Sequence, residues 1–445
     1  MIMSESDSKQ IPLSEIPDPR MQIRATGDQG VGGRFRSRPD EFLVEELPLF
    51  ETSGSGEHLY LRIMKNGISH GDMVNRLTQI FNVSEADIGY AGMKDRRAVT
   101  QQTVSIHTDK NPPSDLGDSD LQVVWVDRHA HKLRKGQLIG NRFVIRIRDV
   151  DPLDAPRAWK MLELIAEKGL PNAYMSQRFG YRLNNHRLGV AWIEGRWKDL
   201  LDEWLGPDGS VFPDQEAAIR ADYAAGRYQQ AIQGSSREWW AERVALKALG
   251  DGASPARACS AVPSRIRGLW IDAAQAAIYN SVLSSRLSAG TMDQLLPGDI
   301  AWDHSRSRWL RITDEEMQEA SIIQDVKDIK LSATGPLPGR RMPSPGSDIL
   351  SVELQAANDA RIDTDLIVGQ GGARRGGRRP LRVPVRNHSL DAGIDEHGPY
   401  IRIAFDLPKG AYATGVLSEI MGLDAVEERG WLASSNDGSK TSSSR

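Results

Sequence analysis

The sequence contains a single cysteine, Cys259, in 445 residues. No internal disulfide can form, and one thiol with nine scattered histidines cannot build a Cys-rich zinc site. Set in the small-residue stretch GDGASPARACSAVP, Cys259 reads as an inert thiol rather than a nucleophile. No apolar stretch approaches the roughly 20 residues of a membrane-spanning helix. The opening MIMSESDSKQ has neither the basic end nor the apolar run of a secretory signal. These absences lead us to expect a cytosolic protein without a structural metal. HExxH, a Walker loop, GxSxG and a CxxC pair are also missing. Gly30, Gly32 and Gly33 in GDQGVGG follow no apolar strand and precede no Lys-Ser/Thr, so they read as a flexible joint, not a phosphate loop.

What is present suffices for real cores. Hydrophobic residues make up 39% of the chain, and its length suggests two or three domains at roughly 100 to 200 residues each. The 56 basic and 60 acidic residues leave a net charge of -4, which argues against a general polyanion binder. The charges are nevertheless segregated. Arg128 to Arg148 carries seven Lys or Arg and no acid, and Gly371 to Arg386 carries six Arg and no acid. Asp199 to Asp222 carries seven acids and one Arg. A basic region on an acidic background is the electrostatic footprint of a local nucleic-acid site, although such runs also occur as solvated faces.

Periodicity supplies the elements. FLVEELPLF and HLYLRIM, broken by GSGE, read as two strands joined by a turn. Ser69 and Asp72 resemble a capping box, and Met73, Leu77, Ile80 and Phe81 then recur at helical spacing. The charged MKDRRAVT lies between the short segment IGYAG and the alternating QQTVSI, a loop position suited to display chemistry. NRFVIRIRDV predicts a strand with one apolar and one partly basic face, and Pro156 starts a helix that ends near Gly169. From about 173 to 345 the pattern is mostly helical, with Ser235 and Glu238 as a capping-box candidate and DAAQAAIYNSVLSSRL as a long helix. PLRVPV and YIRIAFDL then return to strands before a final helix through Val416, Leu417, Ile420 and Met421.

The chemistry concentrates at Lys94-Asp95-Arg96-Arg97. Three cations around one carboxylate favour its ionised form, so Asp95 stays an anion able to act as nucleophile or base while the cations hold a substrate's phosphates. On charge alone, an exposed ion-paired turn is the competing reading. His129 and His131, set among Arg and Lys, read as part of a basic patch rather than a metal site.

GYAGMKDRRAVTQQTVSI, from Gly89 to Ile106, resembles the signature of the TruD family of pseudouridine synthases, which modify uridine 13 of transfer RNA. RSRPDEFLVE and GSGEHLYLRIMKNG resemble the family's amino-terminal block. GNRFVIRIR, PNAYMSQRFGYRLNN, TGPLPG and FDLPKGAYATGVLSEIMG resemble its later blocks in the same order, together covering most of residues 34 to 423. The resemblance implies an α/β (α+β) fold: a catalytic domain with a central mixed β-sheet flanked by helices, plus an inserted, mostly helical domain. The expected boundaries are a flexible arm over 1–33, the catalytic domain over 34–172 and 346–432, the insert over 173–345 and a disordered tail over 433–445. It implies an isomerase that needs no cofactor and no metal. In this reaction uracil is detached from C1′ of its ribose, turned, and reattached through C5.

Residue by residue, the resemblance places the catalytic aspartate at Asp95, which either attacks C1′ or takes the C2′ proton to give a glycal. Phe143 falls on the aromatic residue that stacks on the target base, and Asn141 on the residue that fixes the active-site loop or the uracil edge; a core role is the alternative for Phe143. Arg36 matches a basic residue near the carboxylate, and if that residue is Lys in the family, the guanidinium differs in its planar pairing geometry. Lys94 and Arg96 are expected at the substrate. Arg97, Arg178, Arg374, Arg375, Arg378, Arg379 and Lys409 are expected to contact RNA, with solvated loops the alternative for the last five. Transfer RNA is the expected partner, with no membrane and no obligatory protein partner, and the chain is expected to be monomeric. Other readings are an RNA chaperone of the same family, a protein-binding scaffold, or a nuclease or glycosidase drawing a second carboxylate from Asp40, Glu41, Glu45 or Glu57.

Overall fold

The computed structural model describes residues 11–21, 23–94, 96, 98–112, 120–369 and 375–426. The described residues divide into two compact units, one built from 24–170 and 383–426, the other from 11–23 and 171–382.

The first unit holds a mixed eight-stranded sheet. In chain order its strands are β1 (Phe42–Pro48), β2 (His58–Asn66), β3 (Ile88–Tyr90), β4 (Val99–His107), β5 (Leu121–His129) and β6 (Leu138–Arg148), followed by Arg386–Asp395 and Gly398–Pro408. Across the sheet the order is Arg386–Asp395, Gly398–Pro408, β6, β1, β4, β2, β5, with β3 paired to β4. β1 is parallel to β4 and antiparallel to β6, and it joins the two halves of the sheet. Alternation decides what each face carries. Phe42 and Val44 of β1 join Phe143, Ile145 and Ile147 of β6 in a core closed by two helices, α2 (Ala155–Lys168) and the C-terminal Ala413–Met421. Leu59, Leu61 and Ile63 of β2 join Val104 and Ile106 of β4 under α1 (His70–Phe81). The expected capping box at Ser69 and Asp72 is present in both directions.

Gly30 to Gly33 are not a loose joint. Val31 N donates to Ile420 O at 2.8 Å and Gly32 N to Met421 O at 3.0 Å. Gly30 has φ 86°, and a Cβ there would lie 2.4 Å from the Met421 carbonyl carbon, so only glycine permits this approach.

The second unit is helical around Ser264–Ser288, with a small sheet ordered Gly377–Pro380, Leu331–Leu337, Ile300–Asp303, Arg308–Arg311. It continues past 345, because Gly377–Pro380 pairs with Leu331–Leu337 and helix Ser347–Asp359 packs on Ser264–Ser288. Cys259 is buried within it, and desolvation pushes its thiol up to about 12, so it stays protonated. Residues 11–21, expected within a flexible arm, lie along these helices with Leu13, Ile16 and Met21 buried. Leu13–Glu15 forms one 3-10 turn, and beyond it the prolines at 17 and 19, which have no N–H to donate, leave their carbonyls to side-chain donors. Arg196 Nη1 donates to Ile11 O at 2.8 Å, and Asn280 Nδ2 to Pro19 O at 2.8 Å. His186 Nε2 lies 3.1 Å from Pro17 O. The tail over 433–445 lies outside the described residues.

Burial, reinforced by Arg187, depresses His186 to about 4, so its ring is neutral and Nε2–H donates to Pro17. A depressed imidazole contributes stability that is complete above its unfolded value near 6.5 and is lost as pH falls toward 4. Unfolding followed from pH 7.5 to 4 should show a loss of about 3 kcal/mol that His186→Gln lacks.

Candidate active site

The segment from Gly92 to Ala98 links β3 to β4 in the first unit. Asp95 and Arg97 lie outside the described residues. The residues around them are held from several sides. Lys94 Nζ lies 3.1 Å from Glu46 Oε2 and donates to Asn141 Oδ1 at 2.6 Å. The Lys94 and Glu46 side chains are only 6% and 2% exposed. Glu46 Oε1 accepts from Thr103 N at 3.2 Å, which ties the carboxylate to β4 as well. Glu46 and Asn141 are register partners on β1 and β6, so the sheet itself sets the spacing of the two groups that grip the ammonium. Buried Lys65, on β2, donates from Nζ to Ile68 O at 2.9 Å and to Lys94 O at 3.4 Å. Gln102 Nε2 donates to Gly92 O at 3.5 Å, and Arg96 Nε to Gly67 O at 3.1 Å.

Glu46, Lys65 and Gln102 are absent from the sequence-derived site, yet each carries a legible signal. Glu46 continues the buried phase of Phe42 and Val44, Lys65 that of Leu59, Leu61 and Ile63, and Gln102 that of Val104 and Ile106. A charged or amide group in phase with a core needs a specific partner, because desolvating it alone costs several kcal/mol. His70, at the start of α1, sets its ring edge-on to Tyr90 at 4.3 Å. Burial first, and then Lys65 and Lys94, keep this imidazole below its usual value.

The remaining expectations fare differently. Arg36 adopts left-handed φ 57° and lays its guanidinium 4.2 Å above the Phe42 ring. Phe143 is 7% exposed, with Phe405 stacked at 5.6 Å and Phe42 edge-on at 6.3 Å. It is therefore a core ring in this structure, the alternative the sequence had left open, and presents no open face to a base. Lys409 is at the surface, donating from Nζ to Gly136 O at 3.1 Å. Arg374 lies outside the described residues, and Arg375 is exposed.

Arg378 must be corrected. Its side chain is fully buried in the second unit, bonded to Thr334 Oγ1 at 2.7 Å and ion-paired with Glu353. It is unavailable to phosphate because its strand turns it into the interior. Arg379 is likewise committed, donating to Asn172 O at 3.0 Å with its guanidinium 4.4 Å over Tyr174. Arg178 lies 5.0 Å over the same ring. Among the carboxylates considered for hydrolytic chemistry, Asp40 pairs with Arg38, Glu41 with Arg148 and Glu45 with Arg62, while Glu57 lies 3.7 Å from His107. Among the described residues no group of three His, Cys, Asp or Glu side chains could hold a metal ion. None of their helices is long and apolar enough to cross a membrane.

Comparison with known proteins decides the family. The model for tRNA pseudouridine synthase D (TruD) matches residues 20–420. The chain belongs to the TruD family. It is 34% identical over 397 residues to the tRNA pseudouridine synthase D of Geobacter sulfurreducens, covering 88% of this chain and 94% of that protein. With the Thermus thermophilus protein of the same name the identity is 29% over 408 residues, covering 89% and 91%. The crystal structure of the putative TruD from Methanosarcina mazei has the same fold, with a TM-score of 0.79 at 24% identity, covering 93% of this chain and 99% of that one.

In this TruD-family chain, removing one member of the buried ion pair strands the other. Glu46→Gln should destabilise the first unit by about 3 kcal/mol. The double variant Glu46→Gln/Lys94→Met should recover most of that loss in denaturant unfolding, since no buried charge is left alone.

Proposed function

We propose that the protein isomerises uridine to pseudouridine in transfer RNA, at position 13, with Asp95 as the catalytic carboxylate. It works as a monomer in the cytoplasm. Membership of the TruD family over nearly the whole chain supports the reaction class. The observation that carries the site is the tethering of Lys94, whose ammonium, carbonyl and chain neighbours are each bonded to a different strand or loop. Lys94 is thereby fixed before substrate arrives, which is what orientation-dependent catalysis requires of the groups beside a reacting carboxylate.

The reaction balances within the nucleotide. The C1′–N1 bond breaks, the freed uracil turns, C1′ bonds to C5, and the C5 proton is removed while N1 ends protonated. Asp95 serves either as the nucleophile that traps C1′ or as the base that takes the C2′ proton and later returns it. Both routes use the carboxylate as an anion, and neither needs a change of oxidation state.

The test uses unmodified transfer RNA with uridine at position 13, incubated with the protein in chelator without nucleotide, and pseudouridine is mapped by chemical labelling. Product at position 13 is expected. Asp95→Ala should lower its rate by about 10²- to 10⁴-fold or more while RNA affinity changes less than threefold. RNA bound tightly without any product would favour the chaperone reading instead.

A further inference from the structure

The face of the first unit's sheet opposite α1 carries a cleft with about 210 Å³ of free volume. Phe50, Tyr60 and Trp125 line it together with Leu133, and Arg62 and Gln137 supply polar groups. Trp125 is there because of an irregularity in strand pairing. Ile63 pairs with Val123 but Arg62 pairs with Trp125, so Val124 is an extra residue in β5, a β-bulge. Leu121 and Val123 pack in the core under α1, and simple alternation would send Trp125 to that same face. The extra residue reverses the phase and brings Trp125 beside Arg62, where the indole remains 42% exposed.

The setting of the cleft identifies its occupant. Its walls offer flat aromatic surface, the Gln137 amide and the Arg62 guanidinium, whose Nη2 is held by Glu45 Oε1 at 2.7 Å and Glu46 O at 3.0 Å, a combination that stacks and hydrogen-bonds a planar heterocycle. Exposed Arg134 and Lys135 stand in the turn that contributes Leu133 and Gln137. That turn is anchored by Gly136 N on Ala91 O at 2.7 Å and by Lys409 Nζ on Gly136 O at 3.1 Å. Its cations are placed to meet phosphates on either side of a bound base. The cleft also adjoins the loop that follows β3, because Glu46 is among its lining residues and the Glu46 carboxylate holds Lys94.

We propose that this cleft receives a second, unstacked nucleobase of the substrate RNA, from a nucleotide flanking the target uridine, and stacks it on Trp125. The proposal rests on the reading of this protein as an RNA-modifying enzyme. It makes Trp125 a substrate-positioning residue distinct from the groups around Asp95.

The test places 2-aminopurine singly at each position flanking the target in transfer RNA and measures its fluorescence on binding to Asp95→Ala, which holds unreacted substrate. One position should be quenched by Asp95→Ala, and the quenching should vanish when Trp125→Ala is added. In the otherwise wild-type protein, Trp125→Ala should raise Kd and KM about tenfold, with the effect on affinity exceeding that on the rate at saturation, and Trp125→Phe should restore most of the affinity. Melting curves establish that both variants fold. Unchanged Kd and persistent quenching in a folded Trp125→Ala protein would overturn the proposal while leaving the synthase reading intact if the wild type forms pseudouridine. Trp125-dependent quenching without any pseudouridine from the wild type would instead uphold the nucleobase cleft and overturn the synthase reading.

Discussion

The ion pair between Glu46 and Lys94 is the constraint from which the rest of the site follows. Two opposite charges lie almost fully out of water at the junction of β1, β4 and β6, with Asn141 and the Thr103 amide taking up further hydrogen-bonding capacity. Such a pair adds little net stability over an apolar packing of the same volume, but it fixes geometry, because each partner alone would be costly to bury. Here what it fixes is the backbone immediately before Asp95. Lys65 and Gln102 extend the same logic by bonding Lys94 O and Gly92 O, so the loop is held through its carbonyls as well as its side chain.

Much of the scaffold around this pair was legible in the sequence. The capping box at Ser69 and Asp72, the strand in NRFVIRIRDV and the helix starting at Pro156 all rest on local chemistry that the tertiary structure does not override. β5 escaped because LQVVWVDRH has no clean period of two; its bulge at Val124 breaks the alternation that a strand reading depends on. The helix Trp240–Gly250 lies where its pattern places it, but Ser235 does not cap it: Ser236 accepts from Glu238 N in the 3-10 turn Arg237–Trp239 just before the helix, whose own N-cap, Trp239, makes no side-chain bond. The prolines of the N-terminal arm suggested looseness, whereas their real effect is to leave carbonyls free for His186 and Asn280.

Charge was the least legible quantity, because a sequence displays signs and not partners. Among the cations between Arg128 and Arg148, Arg142 pairs with Asp406 and Arg148 with both Glu41 and Asp395. Arg128 is taken up by the carbonyls of Thr108, Asp109 and Lys110. What stays at the surface is the Arg134–Lys135 turn. Arg378 makes the same point from the other direction, since four arginines in a glycine-rich stretch look like a phosphate-following loop until Glu353 is found beneath one of them. The buried charges at Glu46 and Lys65 could have been found by strand phase alone, and that phase is a sharper indicator of function here than the density of positive charge.

The central claim is that the buried pair exists to position the catalytic loop rather than to hold the fold. It is tested most directly by single-turnover pseudouridine formation on transfer RNA by Glu46→Gln/Lys94→Met, compared with the wild type at saturating protein. The account predicts a rate lower by about a hundredfold in a protein of near-normal stability, since misplacement of a catalytic group by about 1 Å has that effect. A double variant that is equally stable and turns over at the wild-type rate would contradict it.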